Sequence, residues 1–204
     1  MRLHLLGLPH TITNNAYSHC AFTSKIKKFS PMMREYGYDV IHYGVAGADT
    51  GASLNIDILS QEEQEDLIGN APAKFHDELY DPKSALYLSF NAKLRKALNL
   101  LVEPGDLVLN TYSDAHLMAV REHKGINVES GIGYANESFG FRIYDSYAWM
   151  HYMQGRSKRW GNSYEWVIPN YFDLSEWDYQ RHPKNYVLYF GRLLDDKGCQ
   201  VVVE

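Results

Sequence analysis

Two cations stand close together near the carboxyl end of the chain, in the stretch "YFGRLLDDKG" from Tyr189 to Gly198. Arg192 offers a planar fork of donors and Lys197 a point charge, so the two suit a shared polyanion such as a diphosphate. Gly191 lets the backbone turn sharply off a strand tip. Asp196 is placed to cap a following helix, whose first amides would add partial positive charge. Taken alone, the loop also fits two surface cations on an ordinary strand-to-helix turn. Other reactive arrangements are missing from the sequence. It has no G-x-S-x-G elbow, no H-E-x-x-H pair and no Walker loop. Gly131-Ile132-Gly133 lacks the third glycine of a dinucleotide fingerprint, so no nicotinamide cofactor is expected. His10 and His19, like His116 and His123, have no Asp or Cys at ligand spacing, so neither a metal centre nor any other cofactor is expected.

Composition narrows the partners. A net charge of −5 and a pI near 6.0 argue against broad nucleic-acid binding, which needs clustered Lys and Arg. The longest basic group is Arg156, Lys158 and Arg159, which reads as a solvated face. Cys20 and Cys199 lie far apart, against a disulfide framework and for a reducing compartment. "MRLHLLGLPH" is too short an apolar run for a signal peptide, and no window approaches the roughly 18 apolar residues of a membrane span. A cytoplasmic location is the expectation. The chain carries 16 tyrosines, and its four tryptophans (Trp149, Trp160, Trp166 and Trp177) all fall in the last third. Such aromatics serve a core, an interface or a sugar-stacking surface alike.

The elements that must position these groups follow from periodicity. "RLHLLGL" reads as a strand, and residues 16–36 as a helix in which Pro31 forces a kink or restart, ended by Gly37. "YDVIHYG" is a second strand, so a parallel pair with a right-handed crossover is expected. Residues 44–52 read as loop, and Ser60 with Glu63 forms a capping box for a short helix. Residues 69–80 are ambiguous. Asp81-Pro82 predicts the start of a long helix with Leu86, Phe90, Leu94, Leu98 and Leu101 on one face. Beyond it come a strand "LVLNTY", a helix "SDAHLMAVREHKG", a strand "INVESG", a helix over 143–153 and a strand "YEWVIPN". Strands alternating with helices through residue 168 predict an α/β, Rossmann-like doubly wound, mainly parallel sheet. Ligands of such sheets bind at the carboxyl ends of the strands. Asn14, Asn15 and Glu129 fall there: the asparagines as hydroxyl-binding groups or as turn formers, Glu129 as an acceptor of hydroxyl hydrogen bonds.

"VIPNYFDLSEW" followed by "YVLYFGRLLDDKG" resembles the domain junction of family-four glycosyltransferases of GT-B fold. Ile168, Pro169, Asn170 and Asp173 match the element that closes that family's first Rossmann-like domain; Gly191, Arg192, Leu193, Lys197 and Gly198 match the loop that opens the second. The resemblance implies an acceptor-side domain over 1–169, a linker over 170–184, and over 185–204 the first strand and helix start of a donor-binding domain. It also implies a retaining transfer of sugar from a nucleotide-sugar donor to a glycan or other hydroxyl acceptor. Gly191, Arg192 and Lys197 would hold the donor diphosphate. His116, shortly after a strand, matches the place of a histidine that reaches the donor sugar in that family, or else packs within the helix beside it. The first loop departs from the family by carrying Asn14-Asn15 where a glycine pair is usual. The acidic residues that the family uses around the sugar would lie beyond Glu204, on a donor domain supplied in the same chain, another chain or a homo-oligomer. Little transfer is therefore expected from these 204 residues alone. Two other classes fit the sequence: a non-catalytic glycan- or protein-binding module of the same fold, and a sugar transferase acting on DNA, which the acidic balance disfavours.

Overall fold

The computed structural model describes residues 1–69, 80–135, 138–182, 184–191, 193 and 198–203. They belong to two compact units, Met1–Phe172 and Asp173–Glu204. The first holds seven parallel strands: β1 (Arg2–Leu6), β2 (Asp39–Val45), β3 (Leu54–Leu59), β4 (Leu107–Asn110), β5 (Ile126–Ile132), β6 (Phe141–Tyr144) and β7 (Glu165–Val167). In space they run β3-β2-β1-β4-β5-β6-β7. Chain order reverses direction between β1 and β4, which makes the crevice at their carboxyl ends the topological switch point of a Rossmann-like doubly wound α/β sheet.

A period of two assigns each strand residue to a face. Leu3 and Leu5 of β1 join Val40, Leu109 and Val128 against Ile26 of α1 (Ala21–Glu35). Leu6, Ile41, Tyr43, Val45 and Val108 lie on the opposite face, against Leu86, Phe90, Leu94 and Leu98 of α3 (Ala85–Leu101). Those four α3 side chains are buried, each worth about 1.5–3 kcal/mol by area removed from water. Packing of this stripe, more than intrinsic propensity, therefore holds α3 in place. α2 (Gln61–Ile68) flanks α3 and is tied to it by Lys93 on Glu63, 2.5 Å. At the foot of the sheet, Asp106 accepts from the Arg2 guanidinium and backbone and from the Glu103 amide. Burial alone would raise its carboxyl; these donors, with His4, instead hold it well below the usual carboxylate range.

Of the two outcomes open at Pro31 the restart is excluded, since α1 runs through it as one helix, and three other local expectations change. The cap of α3 is Ser84, whose hydroxyl accepts from Tyr87 N; Asp81 closes its own turn on Lys83 N at 2.8 Å. "SDAHLMAVREHKG" gives a single 3₁₀ turn, Ser113–His116, and no α-helix. Its carbonyls are taken by side chains from neighbouring elements: Asn91 donates to Ala115 O at 2.8 Å and Asn127 to Val120 O at 2.9 Å. β3 is a strand that periodicity had left unassigned; β6 takes the first two residues of the helix expected over 143–153, and α4 (Tyr147–Arg156) begins only after Ser146, whose hydroxyl accepts from Trp149 N. The ambiguous stretch at 69–80 falls almost wholly outside the described residues.

In the second unit, Asp173 caps a 3₁₀ turn, Leu174–Glu176, by accepting from Ser175 N at 2.9 Å. Residues 186–190, read as a strand, belong to no strand in the structure, and Val187, Leu188 and Phe190 are exposed. An extended segment becomes a strand only where a neighbour takes up its amides and carbonyls. A short helix, α5 (Cys199–Val203), follows. Among the described residues no helix is long and apolar enough to cross a membrane.

Candidate functional site

α1 starts beside the carboxyl ends of the central strands, and its sequence faces two ways. Thr23, Ile26 and Ser30 are buried on the sheet. Lys25, Lys28, Phe29 and Met32, spaced by three or four, stand on one side of the same helix. They line a cavity of about 440 Å³ within the first unit. Its floor is Leu5 with Thr111, Ser130, Gly131 and Ile143, from the β1, β4, β5 and β6 region, and its far wall is residues 168–172. The size suits a small ligand, and the position follows the general rule for open parallel sheets.

The charges inside are arranged unevenly. Lys25 Nζ donates to Asp145 Oδ2 at 2.5 Å and to Gly131 O at 2.9 Å, so this ammonium is neutralised. Gly131 makes that arrangement possible in two ways. Its φ of 72° turns the chain through an irregularity between Ser130 and Ile132, and a Cβ there would stand 3.3 Å from Lys25 Nζ. A Cβ on Gly133 would come within 2.7 Å of Asp145 Oδ2. The two glycines thus make room for the Asp145 carboxylate and its lysine. Lys28 is different. Its Nζ lies 4.8 Å from the centre of the Phe172 ring, and among the described residues no carboxylate pairs with it.

The residues singled out from sequence take other places. Asn14 caps a 3₁₀ turn, Asn15–Tyr17, with Oδ1 accepting from Ala16 N at 3.0 Å, and donates to Gly47 O at 3.3 Å. Asn15 Oδ1 accepts from Lys27. Both asparagines therefore serve the loop itself. Gly7 at the tip of β1 is needed by packing: a Cβ would meet His42 Nε2 at 2.8 Å and Tyr43 O at 3.0 Å. Glu129 is fully buried on β5 and accepts from Tyr134 OH (3.0 Å), Ser138 N (2.8 Å) and Phe139 N (3.2 Å). Burial raises its carboxyl, the two amides and the phenol opposing. It organises the β5–β6 loop from below and does not open to the cavity lining.

His116 is also fully buried, under α3. Its Nδ1 donates to Asn91 Oδ1 at 2.9 Å, its ring lies 5.6 Å from that of Phe90, and burial pushes the imidazole down to about 3. A neutral, enclosed imidazole suits packing better than contact with a sugar. Gly191 is exposed in the second unit, while Arg192 and Lys197 fall outside the described residues. Two side chains that sequence reasoning passed over, Lys25 and Asp145, turn out to be partners across the fold. A signal existed for the first: positions 25, 28, 29 and 32 form a stripe next to the buried one, but it reads as a solvated helix face without the sheet beneath it. No protein-family model, curated protein or solved structure matches this chain.

Proposed function

We propose that the first unit is the acceptor-binding side of a retaining glycosyltransferase, which moves a sugar from a nucleoside diphosphate to a hydroxyl held in the cavity beside α1. The observation that carries the reading is the far wall of that cavity. Ile168, Pro169 and Asn170 line it, and they are the residues of the first half of the junction motif. The motif that resembles a family's domain boundary thus borders the space where an acceptor would lie. The carboxyl-end position of the cavity supports the same reading. On the donor side, Arg192 and Lys197 would offset the negative charge that grows on the diphosphate as the bond to the sugar breaks.

The test combines these 204 residues with a donor-binding domain, in the same chain or on a second, and uses a panel of common nucleotide sugars and a calorimetric titration of nucleoside diphosphates. Transfer or hydrolysis of at least one donor is expected. The double substitution Arg192→Ala with Lys197→Ala should weaken nucleotide binding by about a hundredfold, two charge-assisted contacts being lost. Failure with every donor, together with unchanged nucleotide affinity in the double variant, ends the proposal. A second reading, a non-catalytic glycan-binding module, draws on the exposure of Trp160 and Trp166. Glycan binding with no affinity for any nucleotide would favour it.

A further inference from the structure

The lining of the cavity points to a chemical class of occupant. We propose that it takes an amphipathic anion, with an aliphatic or aromatic body against Phe29, Met32, Ile143 and Ile168 and a single carboxylate or phosphate head at Lys28. The inference rests on the acceptor reading above and narrows it: the hydroxyl that receives sugar would belong to such an amphiphile.

Charge and exposure carry the argument. Three lysines stand on the first turns of α1. Lys25 is neutralised by Asp145, and Lys27 reaches Asp49 at 3.6 Å and Asn15. That leaves Lys28, half-buried at the rim, as the cation of the cavity lining with no carboxylate beside it among the described residues. Its ammonium sits over Phe172, so its local surroundings are partly stripped of water, where an arriving anion is attracted most strongly. The same wall keeps apolar surface in contact with solvent, Ile168 at 56% and Phe172 at 54% exposed. Covering that surface favours an apolar body next to the head. Of the polar lining groups, the Thr111 hydroxyl already donates to Leu6 O at 3.1 Å and Lys25 and Asp145 satisfy each other, while Ser18, Ser24, Ser130 and Asn170 add neutral polar groups for the rest of the ligand.

The probes are octyl phosphate, octanoate, octyl glucoside and inorganic phosphate, each titrated below micelle formation into the 204-residue chain. Calorimetry gives affinity and amide NMR gives the site. The two amphipathic anions should bind and shift amides at 25–32 and 168–172, with octyl glucoside and inorganic phosphate each weaker by about tenfold or more. Lys28→Gln should weaken both anions by about tenfold and leave octyl glucoside unchanged, while Lys27→Gln changes nothing. Whichever anion binds more tightly identifies the head group. The proposal is overturned if octyl glucoside binds as well as the anions, if inorganic phosphate matches octyl phosphate, or if Lys28→Gln has no effect. Because no sugar transfer is read, a failure here leaves the nucleotide-sugar test standing, and the reverse holds as well.

Discussion

His42 sits at the middle of β2 with no exposed surface and, among the described residues, no hydrogen-bond partner for either ring nitrogen. Burial lowers its imidazole to about 4, and the Asn55 side chain, near the ring but outside hydrogen-bond geometry, offsets a part. His116, lowered to about 3, behaves alike. The sign follows from comparing chain states. Above about pH 6.5 both rings are neutral whether folded or not, and stability is complete. Below that value the unfolded chain takes up protons that the native fold refuses, so stability falls with pH until the native values are reached. Urea unfolding between pH 7 and pH 4 is therefore expected to show stability declining by up to about 1.4 kcal/mol per pH unit for each such histidine. His42→Gln should remove one group's share of that slope, whatever its effect at pH 7, and His116→Gln is the companion variant should the first fail to fold. An unchanged slope in both would mean that these rings are protonated or hydrated in the native protein. Nothing in the sequence around His42 marks it as buried, whereas packing was one of the two places open to His116.

Helix starts are decided by short polar residues, and two cases here separate pattern from outcome. Ser60 and Glu63 are a capping box in sequence and in space: Glu63 N donates to Ser60 Oγ at 3.0 Å, and Ser60 N to Glu63 Oε2 at 3.0 Å. Ser60→Ala is expected to cost about 1 kcal/mol in chemical unfolding, and Ser60→Thr to restore most of it. Equal loss from both variants would show that the cap contributes nothing. The start of α3 instead moved three residues, from Asp81 to Ser84, because Asp81 satisfies itself in a turn on Lys83 before the helix begins. Local chemistry of this kind is legible when one residue is suited to the task and ambiguous when two compete. The stretch after β4 could not be read locally at all, since Asn91 and Asn127 come from elsewhere in the fold to claim its carbonyls.

All seven strands lie within Met1–Phe172, and β7 ends at Val167. No described residue beyond 172 joins the sheet. A chain of residues 1–172 is therefore expected to unfold in one cooperative transition, within about 1 kcal/mol of the full chain. A broad, non-cooperative melt or loss of far-ultraviolet circular dichroism from 1–172 would show that the remaining residues are needed to hold the sheet. The aromatic-rich last third divides between roles at this scale. Tyr144 and Met153 are core, packed with Ile132, whereas Trp160, Trp177 and Tyr179 face solvent. Composition alone had left both uses open.

Alternation of strands and helices, apolar stripes at a period of 3.6 and the parallel order they require were written in the chain itself, because burial on a sheet selects side chains residue by residue. The partnership of Lys25 with Asp145, 120 residues apart, and the isolation of Lys28 beside it were not. A cation's free energy depends on which opposite charge the fold brings within a few ångströms, and periodicity carries no record of that distance. For the same reason Glu129, promising at a strand tip, proved to be occupied by the loop above it. The sequence determined the layers; the tertiary structure decided which charges are left for a ligand.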